Sequence, residues 1–90
     1  MIYIYVKTSD GMDRLEKALD FAKNLDGEFK FLVNDIRSID YLRQKGYKSV
    51  NLDAVYDCMN IVTLDDKLYL MTDEDIKPLK LQYSDLEEIK

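Results

Sequence analysis

Five consecutive β-branched or aromatic residues, Ile2-Tyr3-Ile4-Tyr5-Val6, are followed, after a polar break, by an apolar stripe at helical spacing: Met12, Leu15, Ala18, Leu19, Ala22 and Leu25. A near-continuous apolar run of strand length belongs in the middle of a sheet covered on both faces. The stripe gives an amphipathic helix one side to lay on that sheet, with Arg14, Glu16, Lys17, Asp20 and Lys23 turned outward. A second strand is expected from Glu28 to Val33, where Phe29, Phe31 and Val33 alternate with Lys30 and Leu32. Strand, helix and strand in this order set two parallel strands side by side through a right-handed crossover. The chain therefore reads as α/β.

The punctuation supports the same order. Thr8-Ser9-Asp10-Gly11 breaks the first strand, and Ser9 or Asp10 offers a side-chain oxygen as helix cap. Asp26-Gly27 is expected to close that helix. Asn34-Asp35, a turn and candidate cap, then precedes a helix from about Ile36 to Lys45, with Ile36, Ile39 and Leu42 as its buried face. Gly46 ends it and Tyr47 packs back on its end. Val50, Leu52, Ala54 and Tyr56 alternate with polar residues and predict an edge strand. Ile61-Val62-Thr63-Leu64 and the segment Lys67 to Met71, joined by Asp65-Asp66, predict a hairpin. Two readings stay open for the segment after it. Thr72-Asp73-Glu74-Asp75 suits the positive end of a helix with Pro78 in its first turn, whereas Leu79, Leu81 and Tyr83 alternate like a strand. Ser84-Asp85-Leu86-Glu87 fits a capping box for a short terminal helix.

With 90 residues the chain is expected to be one domain, 1–90. No apolar run approaches the roughly 18 residues that span a membrane, and the opening residues read as a strand rather than a signal sequence. Cys58 is the one cysteine and histidine is absent, which excludes an internal disulfide, a thiolate or imidazole zinc site and a histidine base. A reducing, cytoplasmic setting is the expectation. The net charge of −5, from 13 basic and 18 acidic residues, is opposite to the basic footprint of nucleic-acid binders. An acidic surface either keeps the protein in solution or meets a basic protein partner.

The order of elements resembles the thioredoxin fold in its short glutaredoxin form. Ile4-Tyr5-Val6-Lys7 is similar to the glutaredoxin entry strand and its lysine. The stretch Ser38-Ile39-Asp40-Tyr41-Leu42-Arg43-Gln44-Lys45-Gly46-Tyr47-Lys48-Ser49-Val50 looks like the second helix and the segment after it. Asn60 to Leu70 is similar to the terminal hairpin. The resemblance implies a thioredoxin-like βαβα-ββ-α fold with a central mixed four-stranded sheet flanked by helices. Where that family carries a Cys-x-x-Cys or Cys-x-x-Ser motif, this chain reads Thr8-Ser9-Asp10-Gly11-Met12-Asp13, with Asp10 and Asp13 at the two cysteine positions. No proline follows Val50, where the family has its cis-proline. The resemblance thus implies a scaffold without redox activity and without a cofactor. Lys7 matches a glutathione-contacting position, and Lys7, Val50 and Asp75 mark where the family's ligand cleft would lie.

Each remaining candidate has an ordinary alternative. Cys58 lies beside Asp57 with no basic neighbour, which reads as an unreactive buried thiol. Asp10 and Asp13 suit helix capping better than a cation, which needs more converging carboxylates. Asp65, Asp66, Asp73, Glu74 and Asp75 form the densest acidic group in the sequence; they either meet a basic partner at one end of the molecule or solvate a turn and cap a helix. Seven tyrosines read as half-buried rings, or as an interface if several are exposed together. Lys7, Lys48 and Lys67 are a weak candidate anion site. No catalytic or metal-binding set is expected. The leading functional expectation is a non-catalytic protein-binding or regulatory protein, with a homodimer through the edge strand near residues 50–56 as one form of it. The alternatives are an acidic inhibitor of a host enzyme, of the kind encoded by phage or mobile elements and acting by nucleic-acid mimicry, and a glutathione or small-anion binder.

Overall fold

The structure is a computed structural model that describes residues 1–7, 12–83 and 85–89. The elements are β1 (Ile2–Val6), α1 (Asp13–Ala22), β2 (Phe29–Val33), α2 (Ile36–Gln44), β3 (Ser49–Asn51), a 3-10 helix (Val55–Asn60), β4 (Lys67–Met71), α3 (Lys77–Gln82) and β5 (Leu86–Glu88). The five strands form one sheet in the order β3-β2-β1-β4-β5. Every pair is parallel.

The amino-terminal unit follows the sequence expectation. β1 is the central strand, paired to β2 with Ile4 opposite Phe31 and to β4 with Ile4 opposite Tyr69. Side chains alternate across the sheet. Ile4, Val6, Phe31, Val33 and Met71 pack under α1 and α2, against Leu15, Ala18, Leu19, Ala22 and Leu42. Tyr5, Leu32, Leu68 and Leu70 point to the other face, where Val55, Cys58, Val62, Leu79 and Tyr83 cover them. Burial on both faces is why β1 is apolar at nearly every position.

The mixed four-stranded sheet and the hairpin do not form. β4 pairs in parallel with β1 and β5, and 61–66 contains no strand. Polar bonding at that corner explains the difference. Asp66 accepts hydrogen bonds from the Thr63 backbone N–H (2.9 Å) and hydroxyl (3.0 Å), and its own N–H donates to the Thr63 carbonyl. This turn feeds the chain into β4 from the far side of the sheet rather than folding it back. Val62 is apolar because it is buried beneath the 3-10 helix, and its carbonyl accepts from the Tyr83 hydroxyl at 2.5 Å. The glutaredoxin-type architecture is thereby overturned: that fold needs an antiparallel strand, and here all four strand pairings run parallel.

Smaller corrections have equally local causes. The predicted edge strand through Tyr56 stops at Asn51, because the Asp57 carboxylate accepts from the backbone N–H groups of Asp53 and Ala54 and winds 55–60 into a 3-10 turn. Residues 77–82 are helical, with Pro78 in the first turn, while 86–88 are a strand and not the expected terminal helix. α1 ends at Ala22 rather than at Asp26. Gly27 has a positive φ of 100° in the link to β2. α2 is capped by Asp35, whose carboxylate accepts from the Ser38 N–H at 2.7 Å. It closes as predicted: Gly46 takes a φ of 85°, Gly46 N–H donates to the Arg43 carbonyl and Tyr47 N–H to the Leu42 carbonyl. Its buried face differs, since Ile36 is 70% exposed while Ser38 is buried. The capping roles of Ser9 and Asp10 lie outside the described residues.

Candidate functional site at the carboxyl edge of the sheet

β1 leads into α1 on one face, while β4 leads into α3 on the other. Connections that part to opposite faces leave a crevice at the carboxyl ends of the two strands, the usual ligand position in open parallel sheets. The groups around it are Lys7 after β1, Asn34 and Asp35 after β2, Thr72, Asp73 and Glu74 after β4, and Arg14 on α1.

Glu74 is the hub. Its Oε1 accepts from the Tyr5 hydroxyl at 2.6 Å and from the Thr72 hydroxyl at 3.2 Å. Its Oε2 accepts from the Val55 N–H at 3.1 Å, and its own N–H donates to the Thr72 hydroxyl at 3.1 Å. Asn34 adds its amide to the Tyr5 hydroxyl at 3.4 Å. One carboxylate therefore ties the loop after β4 to the central strand and to the first turn of the 3-10 helix. Partial burial alone would raise its pKa, but the bonds from Tyr5, Val55 and Thr72 and the charge of Lys7 outweigh burial and hold it below the ordinary glutamate value. Tyr5 moves the other way: burial, then the bond and the negative charge of Glu74, raise its hydroxyl pKa well above the tyrosine norm. Tyr5 is thus a neutral donor and Glu74 an ionised acceptor, and neither is poised to exchange protons near neutrality.

On the α1 side, Arg14 pairs with Asp73. Beside them lies a crevice of about 200 Å³ lined by Arg14, Lys17, Met71, Thr72, Asp73 and Ile89.

The candidates named from sequence are scattered. Lys7 follows β1, and its N–H donates to the Met71 carbonyl at 3.1 Å. Val50 lies in β3, opposite Leu32, which is itself opposite Tyr5, so two strand spacings, about 10 Å, separate Val50 from the central strand. Asp75 is exposed and accepts from the Lys77 N–H at 3.1 Å. These three do not form one cleft. The acidic group is also divided. Asp65 and Asp66 precede β4 and Asp73, Glu74 and Asp75 follow it, so the strand's length, about 16 Å, lies between them. Asp66 is 3.4 Å from the amino-terminal ammonium, and its pKa is held low, first by the Thr63 backbone bond. Lys48 and Lys67 sit at the amino edge, opposite Lys7, and Lys67 is paired with Glu87 at 3.0 Å. Asp10 lies outside the described residues; Asp13 is exposed in the first turn of α1. Of the described tyrosines only Tyr56 is exposed. Among the described residues no group of three or more acidic, thiol or imidazole side chains is arranged to hold a metal ion.

Cys58 is fully buried, and burial, then the charges of Asp57 and Glu74, push its pKa up to about 12. It should not react with a disulfide reagent such as DTNB at pH 8 in the folded protein, and should react fully once denatured. Prompt labelling without denaturant would contradict the buried position.

Compared with protein-family models, curated proteins and solved structures, the chain matches none. The likeness to glutaredoxins therefore gains no support from any relative. No described helix is long and apolar enough to cross a membrane.

The sequence reading missed the Tyr5–Glu74–Asn34 network. One signal was present. A tyrosine in the middle of a doubly covered strand brings a hydroxyl into the core, and that hydroxyl needs a partner.

Proposed function

We propose that this chain is a non-catalytic protein-binding or regulatory protein that works in the reducing interior of the cell. The observation that carries the reading is Glu74. Both of its oxygens are engaged by Tyr5, Thr72 and Val55 at the place where an open parallel sheet would hold its chemistry. The polar groups of this edge act as ties between elements. Apolar side chains lie in solvent instead: Leu81 on α3 is 90% exposed, and Ile36 and Leu64 are 70% and 68% exposed. A leucine that open on a six-residue helix is available to a partner.

Mimicry of nucleic acid has less support. Asp73, Glu87, Glu88 and Asp20 each stand beside a basic side chain, which breaks up any continuous negative stripe. Pairing through a sheet edge has β3 and β5 available, each only three residues long. The test is a quantitative capture from the native host with wild-type and Leu81→Glu baits of equal loading and equal helical content. A protein held stoichiometrically by wild type and reduced about tenfold on the variant is expected. Identical recovery on both baits, or Cys58-dependent turnover of disulfides, would count against the proposal.

A further inference from the structure

We propose that the crevice between the start of α1 and the carboxyl ends of β4 and β5 binds the phosphoryl group of a small phosphorylated molecule through Arg14 and Lys17. The site is distinct from the exposed leucine of α3 and stands on its own observations. Arg14 and Lys17 are three residues apart on α1, so both side chains reach one side of it, and both line the crevice. The crevice opens beside the switch between β1 and β4, where diverging connections leave room above the strand ends.

Asp73 shows what chemistry the arginine accepts. Its carboxylate rests on the Arg14 guanidinium, yet the acid is 77% exposed and the arginine only 25%. The arginine is held by its surroundings, and the acid is a solvated side chain laid over it. Such a pair is weak and open to competition. A phosphoryl dianion carries more charge and three acceptor oxygens, of which the planar guanidinium can engage two at once. Lys17 supplies a second positive charge, and Met71 and Ile89 give the crevice apolar lining. Its volume of about 200 Å³ admits a phosphoryl group on a few-carbon body.

Titration of amide and arginine side-chain NMR signals at constant ionic strength tests this, with inorganic phosphate and glycerol 3-phosphate as probes and glycerol and acetate as controls. Saturable shifts at Arg14, Thr72 and Ile89 with both phosphates, absent with glycerol and weak with acetate, are expected. Arg14→Gln should weaken binding about tenfold, as loss of a charge-assisted two-point contact does. Asp73→Asn should tighten it about threefold by removing the competing carboxylate, and Leu81→Glu should leave it unchanged. Shifts that never saturate, equal binding by acetate, or equal binding by the Arg14→Gln protein would overturn the proposal. If Arg14→Gln fails to fold, Asp73→Asn decides: unchanged or weaker phosphate binding overturns it.

Discussion

Replacing Phe31 with alanine should cost about 3–5 kcal/mol of folding stability, read as a lower urea midpoint. Phe31 is fully buried in β2, opposite Ile4 of the central strand. Its ring stands edge-on to Phe29 and to Tyr47, each at 5.7 Å between centroids. Truncation removes a large apolar area and leaves a cavity that a parallel sheet cannot collapse to fill, because β1, β2 and β3 are fixed to one another by their ladders. A domain of this size has a total stability of only about 5–15 kcal/mol. The variant should therefore lose a large share of that stability, with Tyr47 losing the ring it closes against. A shift below about 1 kcal/mol would show that the α1–α2 layer is not packed as described.

Replacing Glu74 with glutamine should cost about 1.5–3 kcal/mol, the range for hydrogen bonds to a charged group in a partly buried site. The amide keeps one acceptor oxygen, so Tyr5 and Val55 can no longer both be satisfied. The pH dependence has a definite sign. The folded pKa of Glu74 lies below the ordinary value of 4.5. Its contribution is therefore complete above that value and lost as pH falls through the lower folded value. Wild type should lose stability across that acid window, and Glu74→Gln should lose less there. Some acid sensitivity should persist in the variant, because Asp66 is also held below its ordinary value by Thr63 and the amino terminus. Equal acid profiles for the two proteins would show that the carboxylate is not bonded as described.

Local patterning made the first half of the fold legible. β1, α1 and β2 each carry a pattern that reports its own burial, whereas α2 was legible as a helix but not in its buried face, where Ile36 is exposed and Ser38 buried. The Gly46–Tyr47 closure and the Asp35 cap were readable for the same reason: cap chemistry lies within a few residues of the helix it ends. The second half failed where the pattern was ambiguous. Ile61-Val62-Thr63-Leu64 has strand composition, but Val62 is apolar because it lies under a helix and over a sheet face. Nothing local distinguishes that from a hairpin arm. Whether β4 runs parallel or antiparallel to β1 is a long-range fact, set by the end of the sheet at which the chain re-enters it. The glutaredoxin-type architecture drew its antiparallel hairpin from this segment, and that mixed sheet fell with it.

The site was less legible than the fold. Tyr5 and Glu74 are 69 positions apart, and their hydrogen bond exists only because β4 docks beside β1. The same docking splits the acidic residues of 65–75 between the two ends of a strand. Proximity in sequence misled there, since a strand carries its two ends apart while a helix or turn would have kept them together.

Carbon-13 titration of the side-chain carboxyls, with the amides followed in the same samples, tests the role given to Glu74 most directly. The account predicts a Glu74 midpoint below 4.5, with the Val55 amide and the Tyr5 ring shifting in concert as the carboxylate is protonated. A midpoint at or above that value, with Val55 and Tyr5 unmoved, would contradict it and leave Glu74 free to do chemistry at the carboxyl edge of the sheet.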